Sequence, residues 1–418
     1  MRTAITAFFA MDGFVFANWA VRIPAVKASV GASPATLGIA LLGVSLGAIA
    51  TMAATGALCR RFGSPRLIVA GAVWLSLALL LPALARSAVA LGLALAVFGV
   101  GYGGLNVAMN SLAVDLVAVL RRPVMPSFHA AWSLGGLAGA ALGGLAAPVL
   151  APLPHFALVG LLGLAVTAGF GRTILTTALP AAHAPPGGEA QRVPGPGGED
   201  SAGTGAARAP RETRGGEERP SAAPRRAGVW RTVLLLGVIA ICSTYGEGAV
   251  SDWGALHLRE DLGAASGLAA AGYAAFALAE ACGRLAGSTL LARLGQTRVL
   301  VYGGLATFAG MIAAALAPVL PLALAGFALA GLGVANAFPT AMARVGLLAG
   351  PHGVAAASTL GYAGFLLGPP AIGFLASAVS LPAALTTVSL LALLAVALAR
   401  TVSPASSASP AGKANERP

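Results

Sequence analysis

Six ionisable side chains stand inside long apolar runs of this sequence, where an unpaired charge is costly. They are Asp12, Asp115, Glu247, Asp252, Glu280 and Arg284. A charged group in apolar surroundings is kept only when it is paired or hydrogen-bonded, or when its protonation or ligand binding is used. We therefore weigh two roles for each: a proton or solute site, and a structural bond between packed helices.

Glu280 and Arg284 are four residues apart with the acid first, the order that favours an ion pair on one helix face. Tyr273 precedes Glu280 by seven residues and belongs to the same face. No Lys or Arg lies within four residues of Glu247. We therefore rank Glu247 first as the proton-coupling group, with Asp12, Glu280 and Arg284 as further candidates.

Amide side chains form a second pattern. Tyr102, Asn106 and Asn110 recur every four residues, which places them on one helix face, and Asn336 begins a similar stripe later in the chain. Amides both donate and accept hydrogen bonds, so these residues suit a hydroxylated or amide-bearing solute. The alternative is hydrogen bonding between helices.

Five more residues are candidates for a solute cavity: Asn18, Trp19, His129, Asp252 and Trp253. The two tryptophans stand at corresponding places in the two halves of the chain. Either they anchor the protein in the membrane interface, or they form a stacking wall for a sugar ring. His129 titrates in the range of a proton relay, although a lone histidine is more often a packing residue.

Composition defines the class of protein. The chain has 418 residues, a mean hydropathy of +0.84, 57% hydrophobic residues and 10% charged residues. Apolar runs of about 18 or more residues recur, and each is long enough to cross a hydrocarbon core of about 30 Å. The sequence therefore predicts an all-α integral membrane protein with twelve transmembrane helices in two six-helix halves; the runs are too long for β-barrel strands.

Several functions are excluded by what the sequence lacks. Three cysteines, Cys59, Cys242 and Cys282, fit neither a disulfide framework nor a metal motif. There is no Walker loop for ATP and no enzyme signature, so we expect no enzyme activity, metal or cofactor. The net charge of +12 comes mainly from arginines in loops, and we expect no nucleic-acid partner.

A polar break rich in Gly, Pro and charge separates the two halves, and it is too poor in apolar residues to fold alone. We predict a first half at 1–178, a disordered cytoplasmic linker at 179–228, a second half at 229–400 and a disordered cytoplasmic tail at 401–418. The halves repeat: RFGSPRLIVAG at 61–71 corresponds to RLGQTRVLVYGG at 293–304. Parallel repeats of this kind are typical of transporters whose substrate site lies between them.

The distribution of Lys and Arg predicts the orientation. Of 26 such residues, 21 lie on the side of the termini and the break, four lie on the other side, and Arg284 alone is placed inside a span. Without the break the ratio is 12 to 4. Because positive loops stay in the cytoplasm, we expect both termini in the cytoplasm and a multi-pass protein in a bacterial plasma membrane.

The loop after the second span, GALCRRFGSPR at 56–66, resembles the hallmark loop of the major facilitator superfamily. Gly56, Arg61 and Gly63 match that motif, whereas Arg60 occupies the place of its acid. NWAVRIPAVKASVG at 18–31 and LGYAGFLLGPPAIGF at 360–374 resemble a bacterial branch related to fucose-type sugar permeases. The resemblance implies transport by alternating access, but Asn106 stands where the fucose permeases carry a protonatable acid.

These observations favour a secondary active transporter that moves a small polar solute, such as a sugar-like molecule, coupled to protons. Its partners would be the solute, protons and the lipid bilayer, and we expect a monomer. One alternative is proton antiport efflux of a drug or metabolite. An alternative of another class is a membrane sensor or scaffold that transports nothing.

The hallmark loop also suggests a cytoplasmic gate formed by Gly56, Arg60, Arg61, Gly63 and Asp115. Asp115 ends the fourth span on the side of the two arginines, and we expect it to pair with one of them when the cytoplasmic side is closed, in place of the missing acid.

Asp115→Asn would then bias the protein toward the inward-open state, because the closed state loses its ion pair. Labelling of cysteines placed in the cytoplasmic cavity should increase in this variant. Unchanged labelling would count against the pairing.

Overall fold

The computed structural model describes residues 1–120, 124–177 and 222–402. The predicted linker up to residue 221 and nearly all of the predicted tail lie outside these residues. The seventh helix begins at Ala222, inside the segment that the sequence analysis assigned to the linker.

The described chain is helical throughout and contains twelve helices that we number α1 to α12. The first half comprises α1 Arg2–Val30, α2 Pro34–Phe62, α3 Ser64–Leu84, α4 Ala88–Leu120, α5 Met125–Ala146 and α6 Pro152–Thr176. The second half comprises α7 222–260, α8 266–294, α9 296–315, α10 320–349, α11 351–378 and α12 Leu381–Thr401. Short loops make consecutive helices antiparallel.

These helices form a membrane bundle. Among the described residues, ten helical stretches are long and apolar enough to cross a membrane. One of them, Ser266–Ala315, contains both α8 and α9, so the ten stretches account for eleven helices. The twelfth is α5, which has 22 residues. The predicted fold class is therefore confirmed.

The internal repeat is visible in the backbone. Gly63 ends α2 with φ 84° and ψ 139°, and Gly295 separates α8 from α9 with φ 76° and ψ 161°. Only glycine adopts such positive φ values readily. The two glycines are 232 residues apart, which is the offset of the repeat, so each half makes the same sharp turn at the same place.

We call the end of the bundle that holds Met1, Gly63 and Gly295 the linker end, and the opposite end, which holds Gly31 and Gly263, the loop end. The two halves meet along α2–α11 and α5–α8. Their polar contacts cluster toward the loop end.

At the loop end, the Lys27 ammonium contacts the Glu260 carboxylate at 2.6 Å, and the Ala35 amide donates to Ser377 Oγ at 2.9 Å. The Ser45 hydroxyl, deeper in the bundle, donates to a carbonyl of α11.

Small residues allow this close approach. A Cβ added to Gly38 of α2 would lie 2.5 Å from the carbonyl oxygen of Pro369 in α11, and one added to Gly144 of α5 would lie 3.0 Å from the carbonyl oxygen of Gly267 in α8. Helix interfaces in membranes commonly use small residues in this way. The closed loop end therefore depends on glycine at these crossings.

Gly38→Val should hold the loop end open, because the added side chain collides with the α11 backbone. Cross-linking between Ala35→Cys and Ser377→Cys measures closure of this end. A protease site placed in the linker, followed by a non-reducing gel, distinguishes cross-linked from separated halves. We expect the cross-link yield to fall severalfold.

Gly169→Val is the matched control, since a Cβ at Gly169 meets nothing within 4 Å. Equal cross-link yields in the Gly38→Val and Gly169→Val proteins would contradict the assignment of this crossing to loop-end closure.

Candidate functional site

A cavity of about 210 Å³ lies between the two halves. Helices α1, α2 and α4 of the first half and α7 and α11 of the second half contribute its walls. Ligand sites are typically concave, largely apolar spaces with a few polar groups. The position and size of this cavity make it the candidate binding site for a transported solute.

The walls combine aromatic and polar groups. The aromatic side chains come from both halves: Phe16, Trp19, Tyr102, Tyr362 and Phe365. The polar side chains are Ser45, Asn106, Ser251 and Asp252, and aliphatic residues of α2 complete the lining. Trp19, Tyr102, Asn106 and Asp252 were candidates from the sequence, whereas Ser45, Ser251 and the α11 aromatics were not.

A change in helix type positions the cavity acid. Residues Val250–Gly254 of α7 form a π-helical turn, and such turns occur frequently at functional sites. Ser251 and Asp252 of this turn line the cavity, while Trp253 is fully buried beside α11. The Asp252 carboxylate accepts one long hydrogen bond, from Ser251 at 3.4 Å.

Three charged residues of α7 and α8 form a second polar site: Glu247, Glu280 and Arg284. We call this site the Arg284 cluster. Arg284 Nη2 donates to Glu280 Oε1 at 2.5 Å and lies 3.7 Å from Glu247 Oε1. Ser243 Oγ also contacts Glu247, at 3.4 Å. No cation lies within four residues of Glu247 in the sequence, but the structure brings Arg284 beside it from the neighbouring helix.

Asp12 is completely buried in α1. Its Oδ2 accepts a hydrogen bond from the Trp132 indole of α5 at 3.0 Å. Its Oδ1 has no hydrogen-bond partner among the described residues. This hydrogen bond favours the structural role for Asp12, because it joins two packed helices of the same half.

A buried network at the loop end of the first half was missed from the sequence. Arg22 Nε donates to His155 Nδ1 at 2.6 Å, and His155 Nε2 lies 2.8 Å from Asn18 Oδ1. Arg22 also donates to the carbonyls of Ala147 and Leu150. Because Nδ1 accepts, the assigned histidine tautomer is neutral and donates from Nε2.

This network corrects two sequence predictions. Arg22 is buried inside α1 and is not a loop residue, so Arg284 is not the only cation within a described helix. Asn18 is not part of the cavity lining; its amide Nδ2 donates to the Phe14 carbonyl and its Oδ1 faces His155. In the sequence His155 only follows two prolines, and this pattern does not indicate a contact with Arg22 or Asn18.

The remaining candidates lie in different surroundings. Trp19 and Trp253 are 1% and 0% exposed, so neither lies in the membrane interface. Tyr273 is buried in α8, where it packs with Ala17, Val21 and Ala140 of the first half.

Three further candidates make contacts away from the cavity lining. Asn110 donates to the Asn106 carbonyl, and Asn336 donates to the Gly283 carbonyl. His129 is exposed near the linker end, with its ring 5.5 Å from that of Phe9.

The proposed gate residues are at the linker end. Gly63 provides the turn between α2 and α3, and Asp115 is exposed. Among the ion pairs of the described residues, none joins Asp115 to Arg60 or Arg61. The pairing was expected for a closed linker end and stays a prediction.

A twelve-helix membrane bundle with a solute-sized cavity between repeated halves is the architecture of a secondary transporter. The chain belongs to the major facilitator superfamily, whose family model matches residues 3–360 and 236–418. It is 32% identical over 404 residues to the uncharacterized transporter y4wD of Sinorhizobium fredii, covering 94% of this chain and 96% of that protein.

Two further proteins are similar along the sequence. An uncharacterized MFS-type transporter of Yersinia pestis is 32% identical over 402 residues, covering 95% of this chain and 94% of that protein. The membrane protein MosC of Rhizobium meliloti is 29% identical over 386 residues, covering 92% of this chain and 85% of that protein.

Solved structures share the fold at low identity. A bacterial homologue of the human lysosomal transporter Spinster matches with a TM-score of 0.74 and 16% identity, over 96% of this chain and 95% of that chain. The nucleoside transporter NupG matches with a TM-score of 0.66 and 13% identity, over 96% of this chain and 98% of that chain.

Arg284→Gln should lower the unfolding temperature more than Glu247→Gln does, because it leaves two carboxylates without their cation. Breaking a fully buried pair costs about 3–5 kcal/mol; the Arg284 side chain is 30% exposed, so we expect a smaller loss. Differential scanning fluorimetry of the purified proteins measures the difference.

Arg284→Lys keeps the charge and is the matched control, with a smaller expected loss. An Arg284→Gln protein that unfolds at the wild-type temperature would show that the two carboxylates do not need the guanidinium.

Proposed function

We propose that the protein moves a small polar solute across the bacterial plasma membrane by alternating access, coupled to protons. The observation that carries the coupling is the Arg284 cluster, in which two carboxylates share one guanidinium. Only Glu280 holds the short contact, at 2.5 Å, while Glu247 remains at 3.7 Å.

Charge balance explains why such a cluster suits proton coupling. With both acids ionised the cluster carries a net negative charge, and with one acid protonated it is neutral. Uncompensated charge within a membrane bundle is costly, so uptake of one proton is the natural way to balance the three groups. A proton on Glu247 leaves the Glu280–Arg284 bond undisturbed.

Helix α7 connects this cluster with the cavity. Glu247 and Asp252 are five residues apart on α7, or about 7.5 Å along an ideal helix axis, and Asp252 belongs to the π-turn. A change at Glu247 can therefore reach the cavity wall through one rigid element. Asn106 lines the cavity where the fucose-type permeases carry an acid, which again favours the α7–α8 carboxyls as the proton site.

Alternating access follows from the distribution of contacts between halves. The loop end is joined by the Lys27–Glu260 ion pair and the Gly38 crossing. With the linker end in the cytoplasm, as the Lys and Arg distribution predicts, this arrangement corresponds to a state closed to the outside. Rocking of the halves would separate these contacts and bring the linker-end residues together.

Two alternatives remain distinct from this proposal. The aromatic cavity walls would also accept a drug-like molecule, which favours proton antiport efflux as the second candidate. The direction of proton movement on solute addition distinguishes symport from antiport. A sensor or scaffold would move neither protons nor solute.

Glu247→Gln should abolish solute-driven proton movement while sparing solute binding, because the amide keeps size and hydrogen bonding but cannot ionise. Proteoliposomes that contain a pH-sensitive dye report proton movement after addition of L-fucose, D-glucosamine or choline. We expect the rate to fall by at least about tenfold, equivalent to about 1.4 kcal/mol in the barrier.

Asp261→Asn is the control, since Asp261 pairs with His257 at the loop end and lies outside the cluster. Thermal shift with the same solute checks binding. Wild-type proton movement in the Glu247→Gln protein would assign Glu247 a structural role and leave Glu280 or Asp12 as the coupling group.

A further inference from the structure

We propose that the cavity selects a solute that carries a positively charged nitrogen, with Asp252 as its counter-charge. This inference rests on the proposed role of the cavity as the transport site and adds the class of solute. It differs from the sequence-based expectation of a neutral sugar-like molecule.

Among the described residues, Asp252 has no cationic partner. Most other acids among the described residues have a basic partner: Glu260 contacts Lys27, Asp261 contacts His257, and both acids of the Arg284 cluster contact its guanidinium. Asp252 has one hydrogen bond, a long contact from the adjacent Ser251. Its carboxylate is therefore available to a ligand.

The charge of the cavity also favours a cationic solute. Among the described residues that line it, none is a Lys, Arg or His, and Asp252 is the one acid. An ionised Asp252 gives the cavity a net negative charge in apolar surroundings, where such a charge is costly without a partner. A cationic solute supplies the partner and is attracted more strongly there than in water.

The aromatic walls of the cavity also suit a cationic solute. Phe16 and Trp19 line the cavity from the first half, and Tyr362 and Phe365 line it from the second half. Aromatic rings attract ammonium groups through their faces, most strongly when the site is desolvated. A cation held between the two halves would thus contact rings from both.

The polar remainder of the lining indicates hydroxyl or other hydrogen-bonding groups on the same solute. Asn106, Ser45 and Ser251 each offer donors and acceptors. The cavity has a volume of about 210 Å³. The geometry therefore fits a small hydroxylated amine or quaternary ammonium compound.

The test compares choline with 3,3-dimethylbutan-1-ol, which has the same shape with carbon in place of the charged nitrogen. Choline carries a fixed charge, so its protonation cannot vary. Purified full-length protein in nanodiscs is titrated with each compound, and binding is followed by thermal unfolding and by Trp fluorescence, since Trp19 lines the cavity. We expect choline to bind at least about tenfold more tightly than the neutral compound.

Variants assign the effect to the carboxylate. Asp252→Asn should remove the preference for choline, Asp252→Glu should keep it, and Asp261→Asn, outside the cavity, should bind choline as the wild type does. D-Glucosamine and D-glucose form a second pair, with hydroxyl groups on both members. If Asp252→Asn does not fold, the comparison of charged and neutral compounds on the wild-type protein still tests whether the cavity prefers a cation.

Equal binding of the charged and neutral members of each pair overturns the inference, as does the absence of any stabilisation by choline and D-glucosamine. Retained choline preference in Asp252→Asn also overturns it. A neutral solute that drives protons in proteoliposomes would leave the proposed transport function standing while refuting the cation preference. The two proposals therefore fail in different experiments.

Discussion

A guanidinium shared by two carboxylates at the contact of α7 and α8 is the interaction on which the functional interpretation depends. Within a membrane bundle these three charges have few other means of compensation, so the position of Arg284 decides which acid is neutralised. The short contact to Glu280 and the longer one to Glu247 create an asymmetric pair. That asymmetry is the reason why we propose Glu247, and not Glu280, as the proton-coupling acid.

Movement of the halves requires an interface that can separate. The crossings of α2 with α11 and of α5 with α8 rely on glycine, which lets the two backbones approach closely. Such an interface gains from close packing. The Lys27–Glu260 ion pair at the loop end adds a polar contact that water can replace. Each half, by contrast, is held internally by buried networks such as Arg22–His155–Asn18.

The cavity and the Arg284 cluster include neighbouring parts of α7. The cluster balances its own charges, whereas the cavity contains an acid without a basic partner among the described residues and walls of aromatic rings. Asp252 belongs to the π-turn Val250–Gly254 and lines the cavity, whereas Glu247 precedes that turn. In the proposed mechanism, the solute charge and the proton would act on one helix, each at its own site.

The sequence by itself predicted the twelve-helix membrane class and the repeat in which Gly63 corresponds to Gly295, because composition and repeated patterns are visible in the residues alone. That both glycines turn the backbone at positive φ came from the structure. The sequence also identified the Glu280–Arg284 pair, which lies on one helix face. Only the tertiary structure brought Arg284 to Glu247, joined Arg22 to His155, and placed Tyr362 and Phe365 opposite Trp19. These contacts join different helices, and helix rotation and crossing are decided by packing of the whole bundle, which no local pattern of residues encodes.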